Sequence, residues 1–254
     1  MKRCLIIFLM LASIQFAVGQ DKAAMFDEAR RLRNESKFLE SLILFQALLK
    51  NDSANVDYLY NTAYLLCKTG ILKKDEAERQ KNYHVAEYLS RKAIALNKNS
   101  ADAHYTWALA LGRINENAPT KQKIANAKLI KTECETAIKL DPKLAGAWHI
   151  LGRWHRTVAG FNVIEKVMIN TMFGGVPEGG SYNAAIDCFA KAVELEPKSL
   201  LHSYELAVSY HERGNKMDDV YAKVWLKKTI ALPVLSEEDS EIIKKSKELL
   251  KKIE

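Results

Sequence analysis

The sequence predicts an all-α fold of antiparallel helical hairpins that is completed by a separate C-terminal helix. Three observations predict it. Apolar residues recur at the three- and four-residue spacing of amphipathic helices along most of the chain. Glycine and proline, which interrupt helices, number only 11 and 5 in 254 residues. Similar closing phrases also recur, among them SRKAIALNKNS, ETAIKLDPK and AKAVELEPKS, and such internal repeats are typical of stacked helical hairpins.

The first residues have the features of a secretory signal peptide. Lys2 and Arg3 form a short basic region, an apolar run follows from Leu5 to Ala17, and the small residues up to Gly19 offer a cleavage site. We therefore expect residues 1–19 to be removed on export to the periplasm or the extracellular space. A membrane anchor is less favoured because the apolar run is shorter than the roughly 20 residues that span a bilayer. No transmembrane segment is expected in the mature chain.

Charge and cysteine content exclude several kinds of site. The net charge of +7 favours anionic partners, but without a polybasic block it does not indicate nucleic-acid binding. The mature chain would keep Cys67, Cys134 and Cys188, an odd number with no C-x-x-C pair. A disulfide framework or a zinc site is therefore not expected, and the thiols are interpreted as small buried apolar side chains. No cofactor and no metal are predicted.

Helical patterns follow one another through residues 23–254. The first pair is broken at Asn34-Glu35-Ser36, and Asn51-Asp52-Ser53 provides turn and capping residues before the next helix. Gly70, Gly112 and Asp141-Pro142 end later segments in the same way. The segments lie at 23–34, 39–49, 59–70, 86–96, 104–112, 129–140, 148–156, 185–196, 203–214 and 221–232.

Two of these segments resemble the tetratricopeptide repeat, whose small residues let paired helices approach closely. The resemblance implies a right-handed superhelix of about five hairpins. His155 stands where that family usually has Tyr. Extra residues separate the two helices near 71–82, near 114–125 and, longest, in an insertion at 158–181. The matching residues are Trp148, Leu151 and Gly152 in the first helix, and Ala185, Phe189, Ala192 and Pro197 in the second.

The C-terminal segment is predicted to cap the last repeat. Ser236 is followed three residues later by Asp239, which is the spacing of a capping motif. One face of the following helix is apolar, while Lys and Glu cover the other. Such a helix is needed because a final repeat otherwise leaves its core open.

Three sequence segments indicate a resemblance to a more specific family: AGAWHILGRWHRTV, AAIDCFAKAVELEP and the ending IALPVLSEEDSEIIKKSKELL. Together they resemble the regulator of microtubule dynamics protein family. That resemblance implies one tetratricopeptide-like domain over residues 23–254. Eukaryotic members are associated with microtubules, mitochondria and, in one branch, organelle contact sites and lipid handling. The signal peptide instead indicates an exported bacterial relative that would not meet tubulin, so the fold carries over and the cell biology does not.

No catalytic motif is present, and an enzyme is not expected. The sequence has no G-x-S-x-G, H-E-x-x-H, P-loop or dinucleotide fingerprint. FGGVPEGG follows no strand and is interpreted as a flexible loop. His149 and His155, about 600° apart on a helix, do not share a face as metal ligands would.

A polar and aromatic stripe on the first helices of the hairpins is the candidate partner-binding surface. The resemblance implies that these helices line a concave groove, and Tyr and Arg anchor protein partners well. We therefore expect a non-catalytic scaffold that holds a protein or peptide partner. Acidic residues of that partner would suit the cations of the stripe. The alternative is that the Tyr side chains pack between repeats and the Arg side chains pair locally. The candidates are Tyr60, Tyr64, Lys68, Tyr105, Arg113, His149, Arg153, Arg156, Tyr204 and His211.

The long insertion suggests a function of a different class. Its apolar residues share a helical face, so the segment 161–173 is a candidate lid over a groove that holds an apolar small molecule or a lipid. The alternative, a helix that fills a hydrophobic gap between repeats, is favoured by the frequency of apolar helical faces in cores. The lid candidates are Ile164, Val167, Met168, Met172 and Phe173.

Overall fold

The structure, a computed structural model, describes residues 21–172, 175 and 177–254. The predicted signal peptide, residues 1–19, lies outside the described residues and stays a prediction. The described residues form twelve α-helices, and the chain divides into two compact units at Lys98–Asn99. The first unit contains α1 (21–34), α2 (Phe38–Asn51), α3 (Val56–Gly70) and α4 (Glu76–Leu96). The second contains α5 (Ala101–Asn115), α6 (Thr120–Leu140), α7 (Ala145–Ala159), α8 (Val163–Met172), α9 (Tyr182–Leu195), α10 (Leu200–Arg213), α11 (Asp218–Ile230) and α12 (Glu237–Ile253).

The first unit consists of two hairpins, α1–α2 and α3–α4. In the first hairpin, the Ser41 hydroxyl links the two helices by donating to the Ala29 carbonyl at 2.7 Å. The second packs so closely that a Cβ added at Gly70 would lie 2.5 Å from Cε1 of the buried Tyr83. A side chain at this position would overlap the Tyr83 ring, so glycine is strongly favoured at the end of α3.

The second unit contains the hairpins α5–α6, α7–α9 and α10–α11, each packed against the next. Gly152 of α7 faces Phe189 of α9, where an added Cβ would lie 3.0 Å from the ring. Phe189 itself is fully buried. This is the close helix contact that the tetratricopeptide resemblance predicts for these two positions.

Side-chain caps define where many of the helices begin. A side-chain oxygen accepts from the third residue beyond it in each case, which satisfies one of the free backbone donors of the first turn. The capping residues with this bond are Asn55, Asp75, Ser100, Ser181, Ser199 and Ser236.

The extra residues predicted between paired helices take two forms. Near 71–82 and 114–125 they mostly lengthen the second helix, because α4 and α6 have 21 residues each, against 14 in α2 and in α9. In the long insertion, the described residues include α8 and the segment 177–181. That segment contacts neighbouring helices at Glu178, whose exposed carbonyl accepts from Nζ of Lys131 at 3.4 Å, and at Gly180, which contacts Val158.

The predicted C-terminal helix is α12, which packs against α10 and α11. It begins as expected, with the Ser236 hydroxyl accepting from the Asp239 amide at 3.1 Å. Ile242 and Ser246 are its buried residues. The helix therefore covers the last hairpin of the second unit.

Candidate functional site

Three of the candidate residues lie on α3, in the first unit. The Tyr64 ring meets Phe38 edge-on, with ring centroids 6.3 Å apart, and the Arg33 guanidinium lies 5.8 Å from the Tyr64 centroid. Nζ of Lys68 lies 5.3 Å from the Phe38 centroid. Tyr60, Tyr64 and Lys68 are all partly exposed. Aromatic rings and cations thus form a connected surface on the first helices of this unit.

The two candidates on α5 have structural partners. The Tyr105 ring packs on Gly146 of α7, where an added Cβ would lie 2.6 Å from the ring. The Arg113 guanidinium forms an ion pair with Glu116 at 3.1 Å. Both observations match the alternative in which Tyr packs between repeats and Arg pairs locally.

His149 is a buried contact between α7 and α10. Its side chain meets Phe189 edge-on at 5.4 Å between centroids, and its Nδ1 lies 3.0 Å from Nδ1 of His202. One of these nitrogens must donate and the other accept, so the two imidazoles share a proton. Nε2 of His202 lies 3.1 Å from Oε2 of Glu196. The hydrogen bond from His202 lowers the pKa of Glu196 against the opposing effect of burial.

Arg156 takes part in an ion-pair network that the sequence pattern does not reveal. Its guanidinium lies 2.5 Å from the Glu205 carboxylate and 3.5 Å from that of Glu212, both on α10. It also donates to the Glu205 backbone carbonyl at 3.3 Å and lies 5.7 Å from the Phe189 centroid. Glu205 is only 9% exposed. Arg156 therefore fixes α7 against α10, whereas Arg153, three residues earlier, is exposed to solvent.

Tyr204 and His211, the last two candidates, line a groove between α10 and α12. The groove has a volume of about 320 Å³ and its lining combines apolar and charged side chains. Burial raises the pKa of Tyr204, and the neighbouring Glu205 adds to the effect. Nδ1 of His211 lies 2.7 Å from Oδ1 of Asp219. We call this the α10–α12 groove; its other lining residues are Val208, Glu212, Lys245, Glu248, Leu249 and Lys252.

Sequence reasoning misses the contribution of α12 to this groove. The pattern assigns its lysines to the solvated face of a capping helix, and nothing in the spacing of one helix shows what it meets across the fold. The alternation of Lys245, Leu249 and Lys252 at helical spacing is the available signal.

The predicted lid residues face solvent. Ile164 is 80% exposed, Val167 and Met168 are 56% and 44% exposed, and Met172 is 68% exposed. Ile169 is the buried residue of α8, and it is not among the candidates. The apolar face predicted from the spacing is therefore not the face that packs against the rest of the protein, and the lid stays a prediction. Phe173 lies outside the described residues.

Two kinds of feature are absent from the part of the chain that the structure describes. Within it, no group of three or more His, Cys, Asp or Glu side chains is placed to hold a metal ion. Across residues 21–172, 175 and 177–254, no helix is both long enough and apolar enough to cross a membrane.

Comparison with known proteins identifies the family. A family model described as regulator of microtubule dynamics protein 1-3 matches residues 25–254. The chain belongs to this family. Regulator of microtubule dynamics protein 1 of Bos taurus is 30% identical over 249 residues, which cover 94% of this chain and 76% of that protein. Regulator of microtubule dynamics protein 2 of Mus musculus is 27% identical over 228 residues, which cover 89% and 55%.

A solved structure shows the same fold. A thermophilic TPR protein of Thermus thermophilus superposes with a TM-score of 0.64 at 14% identity, covering 90% of this chain and 98% of that one. The predicted all-α, tetratricopeptide-like fold is thereby confirmed.

Proposed function

We propose that the protein is a non-catalytic scaffold that is exported by its signal peptide and binds a peptide segment of a partner protein in the α10–α12 groove. The main support for this proposal is the groove itself. Two residues predicted from the sequence, Tyr204 and His211, line it together with Lys245, Leu249 and Lys252 of α12. The tetratricopeptide-like fold and the family membership support binding over catalysis, as does the lack of a recognisable catalytic motif in the sequence.

The lining of the groove favours a particular peptide chemistry. Val208 and Leu249 offer an apolar contact, and the Tyr204 ring offers a stacking surface with a hydroxyl. Lys245 and Lys252 stand one above the other on α12, since residues seven apart share a helix face. Glu212 and Glu248 also line the groove, and Lys245 pairs with Glu241 at 4.0 Å. The proposed partner segment therefore carries an apolar side chain next to a carboxylate that lies at the two lysines.

Charge reversal tests this with a control on the same helix. Lys245→Glu with Lys252→Glu changes the groove, whereas Lys244→Glu with Lys251→Glu makes the same change of charge at exposed positions that do not line it. Proteins captured from a cell-envelope extract are identified, and their acidic segments are synthesised and titrated against each variant. We expect the groove variant to bind about ten-fold more weakly than the control. Equal binding by the two variants would refute the proposed site.

Export is tested separately. When the full sequence is expressed, the protein should be found in the periplasmic or extracellular fraction with residues 1–19 removed. Mass spectrometry of its N-terminus measures this. Recovery of the chain with these residues retained would contradict the export part of the proposal. The microtubule role stated in the relatives' names would require the chain to meet tubulin, which export prevents.

A further inference from the structure

The first unit has a second groove, which lies between α2 and α4 with α3 as its floor. Its volume is about 420 Å³, and we call it the lysine groove. Leu49 and Lys50 of α2 form one wall, and Lys81 and Val85 of α4 form the other. Leu66 of α3 lies at the floor.

The lysine groove belongs to a larger apolar surface. Leu66 and Leu89 are buried at its base, while Val85 on the wall is 41% exposed. Ile43, one turn before the groove residue Gln46 on the same face of α2, is 65% exposed. Tyr88, three residues after Val85 on α4, is 64% exposed. Large apolar side chains on both walls thus remain uncovered, which is typical of interaction surfaces.

The charge of the lysine groove has one sign. Lys50 and Lys81 are exposed at its rim, and none of its lining residues is acidic. Within residues 21–172, 175 and 177–254, neither lysine has a carboxylate at ion-pair distance. Lys50 also lies in the last turn of α2, where the helix dipole already favours a cation. Both ammonium groups are therefore available to an anionic partner.

The walls exclude one mode of peptide binding. α2, α3 and α4 satisfy their own backbone groups, so the groove offers no sheet edge to which an extended peptide could add a strand. A helix satisfies its backbone internally and can place one apolar face in a hydrophobic groove. We propose that the lysine groove docks an amphipathic helix of a partner protein, with its apolar face on Leu66, Val85 and Leu89 and its flanking Asp or Glu side chains towards Lys50 and Lys81.

This surface is independent of the α10–α12 groove, because it belongs to the first unit and shares no residue with that site. A chain with both surfaces could contact two segments of one partner or two different partners. Loss of binding at either groove leaves the other measurable.

The test uses two fluorescent synthetic peptides that form the same leucine-faced amphipathic helix, one with Glu and one with Lys at the flanking positions. Their binding to the full chain is followed by fluorescence anisotropy. Lys50→Glu with Lys81→Glu reverses the groove charge. Lys22→Glu with Lys74→Glu is the matched control, because it makes the same charge change at exposed positions outside the groove.

We expect the glutamate peptide to bind the unaltered chain about ten-fold more tightly than the lysine peptide. This preference should weaken as salt screens the exposed charges. The groove variant should invert the preference and the control should keep it. Val85→Asp, at a half-exposed position, should weaken the glutamate peptide most, because it interrupts the apolar contact and also adds a repelling negative charge.

Four results would overturn the proposal. The first is equal binding of the two peptides to the unaltered chain, and the second is equal loss in the groove variant and the control. The third is a dimer in sedimentation analysis that Val85→Asp converts to a monomer, since the occupant would then be a second copy of this chain. Binding that fails only in the Lys245→Glu, Lys252→Glu variant would place the peptide in the α10–α12 groove instead.

Discussion

Replacing Arg156 by Met should destabilise the second unit, because Arg156 pairs with a buried carboxylate. The change leaves Glu205, which is 9% exposed, without the guanidinium that lies 2.5 Å away. Loss of one partner from a buried ion pair costs about 3–5 kcal/mol. The Arg156 side chain is 17% exposed. We therefore expect a loss of stability at the lower end of this range, about 3 kcal/mol.

Replacing both partners distinguishes the free-energy cost of an unpaired buried charge from the cost of lost packing. In the double variant Arg156→Met with Glu205→Leu no charge is left buried, and apolar replacement of buried pairs is often neutral. We expect its free energy of unfolding to lie within about 1 kcal/mol of the unaltered chain. Arg153→Met is the matched control, because Arg153 is exposed one turn earlier on the same helix; its effect should be below about 0.5 kcal/mol.

Tryptophan fluorescence during urea unfolding measures the second unit by itself. All four tryptophans, Trp107, Trp148, Trp154 and Trp225, lie after Lys98. With a slope of about 3 kcal/mol per M, the Arg156→Met variant should unfold at about 1 M less urea. A shift no larger than that of Arg153→Met, or a double variant as unstable as Arg156→Met, would refute the account of Arg156 as a structural residue.

Three further predictions concern stability, pH and thiol chemistry. Gly70→Ala should destabilise the first unit by about 2 kcal/mol through overpacking against Tyr83, read as a lower midpoint in urea unfolding followed by circular dichroism; an unchanged midpoint would contradict the close contact. The Arg213 hydrogen bond holds the pKa of Asp218 below its ordinary value of 3.8, so its contribution is present above that pH and is lost as pH falls through the lowered value. The difference in urea midpoint between the unaltered chain and Asp218→Asn should therefore shrink below about pH 4, and a difference that stayed constant to about pH 2 would count against this linkage. Burial raises the pKa of the Cys188 thiol to about 12, so iodoacetamide at about pH 8 should label it only after unfolding, as mass spectrometry of digested peptides would show; rapid labelling of the folded chain would disprove the burial.

The close helix contacts could be predicted from the sequence because they depend on single small residues at fixed spacing. The repeat pattern pairs Gly152 with Phe189, and the structure places the ring against the glycine. Ser236 with Asp239 likewise predicts the start of α12, since capping involves only neighbours along the chain. Local spacing is sufficient in both cases.

The candidate stripe is less well determined, because helical phase shows which residues share a face but not what that face meets. Arg153 and Arg156 are equivalent in the pattern, yet one is exposed and the other pairs with Glu205. The pattern places His149 on an open surface, whereas the side chain meets His202 from another hairpin. The partners lie about fifty residues away, at a distance along the chain that periodicity does not encode.

The helical hairpins, their order, the capping helix and the family resemblance are predictable from the sequence, because these depend on periodicity, caps and small residues along the chain. Which polar side chains remain accessible depends instead on how the folded helices pack. This packing engages Arg156 and His149 in contacts between helices, exposes the apolar face of α8, and brings α12 beside Tyr204 to form a groove. Burial and ion pairing depend on side chains from several helices at once, so a pattern within one helix cannot specify them.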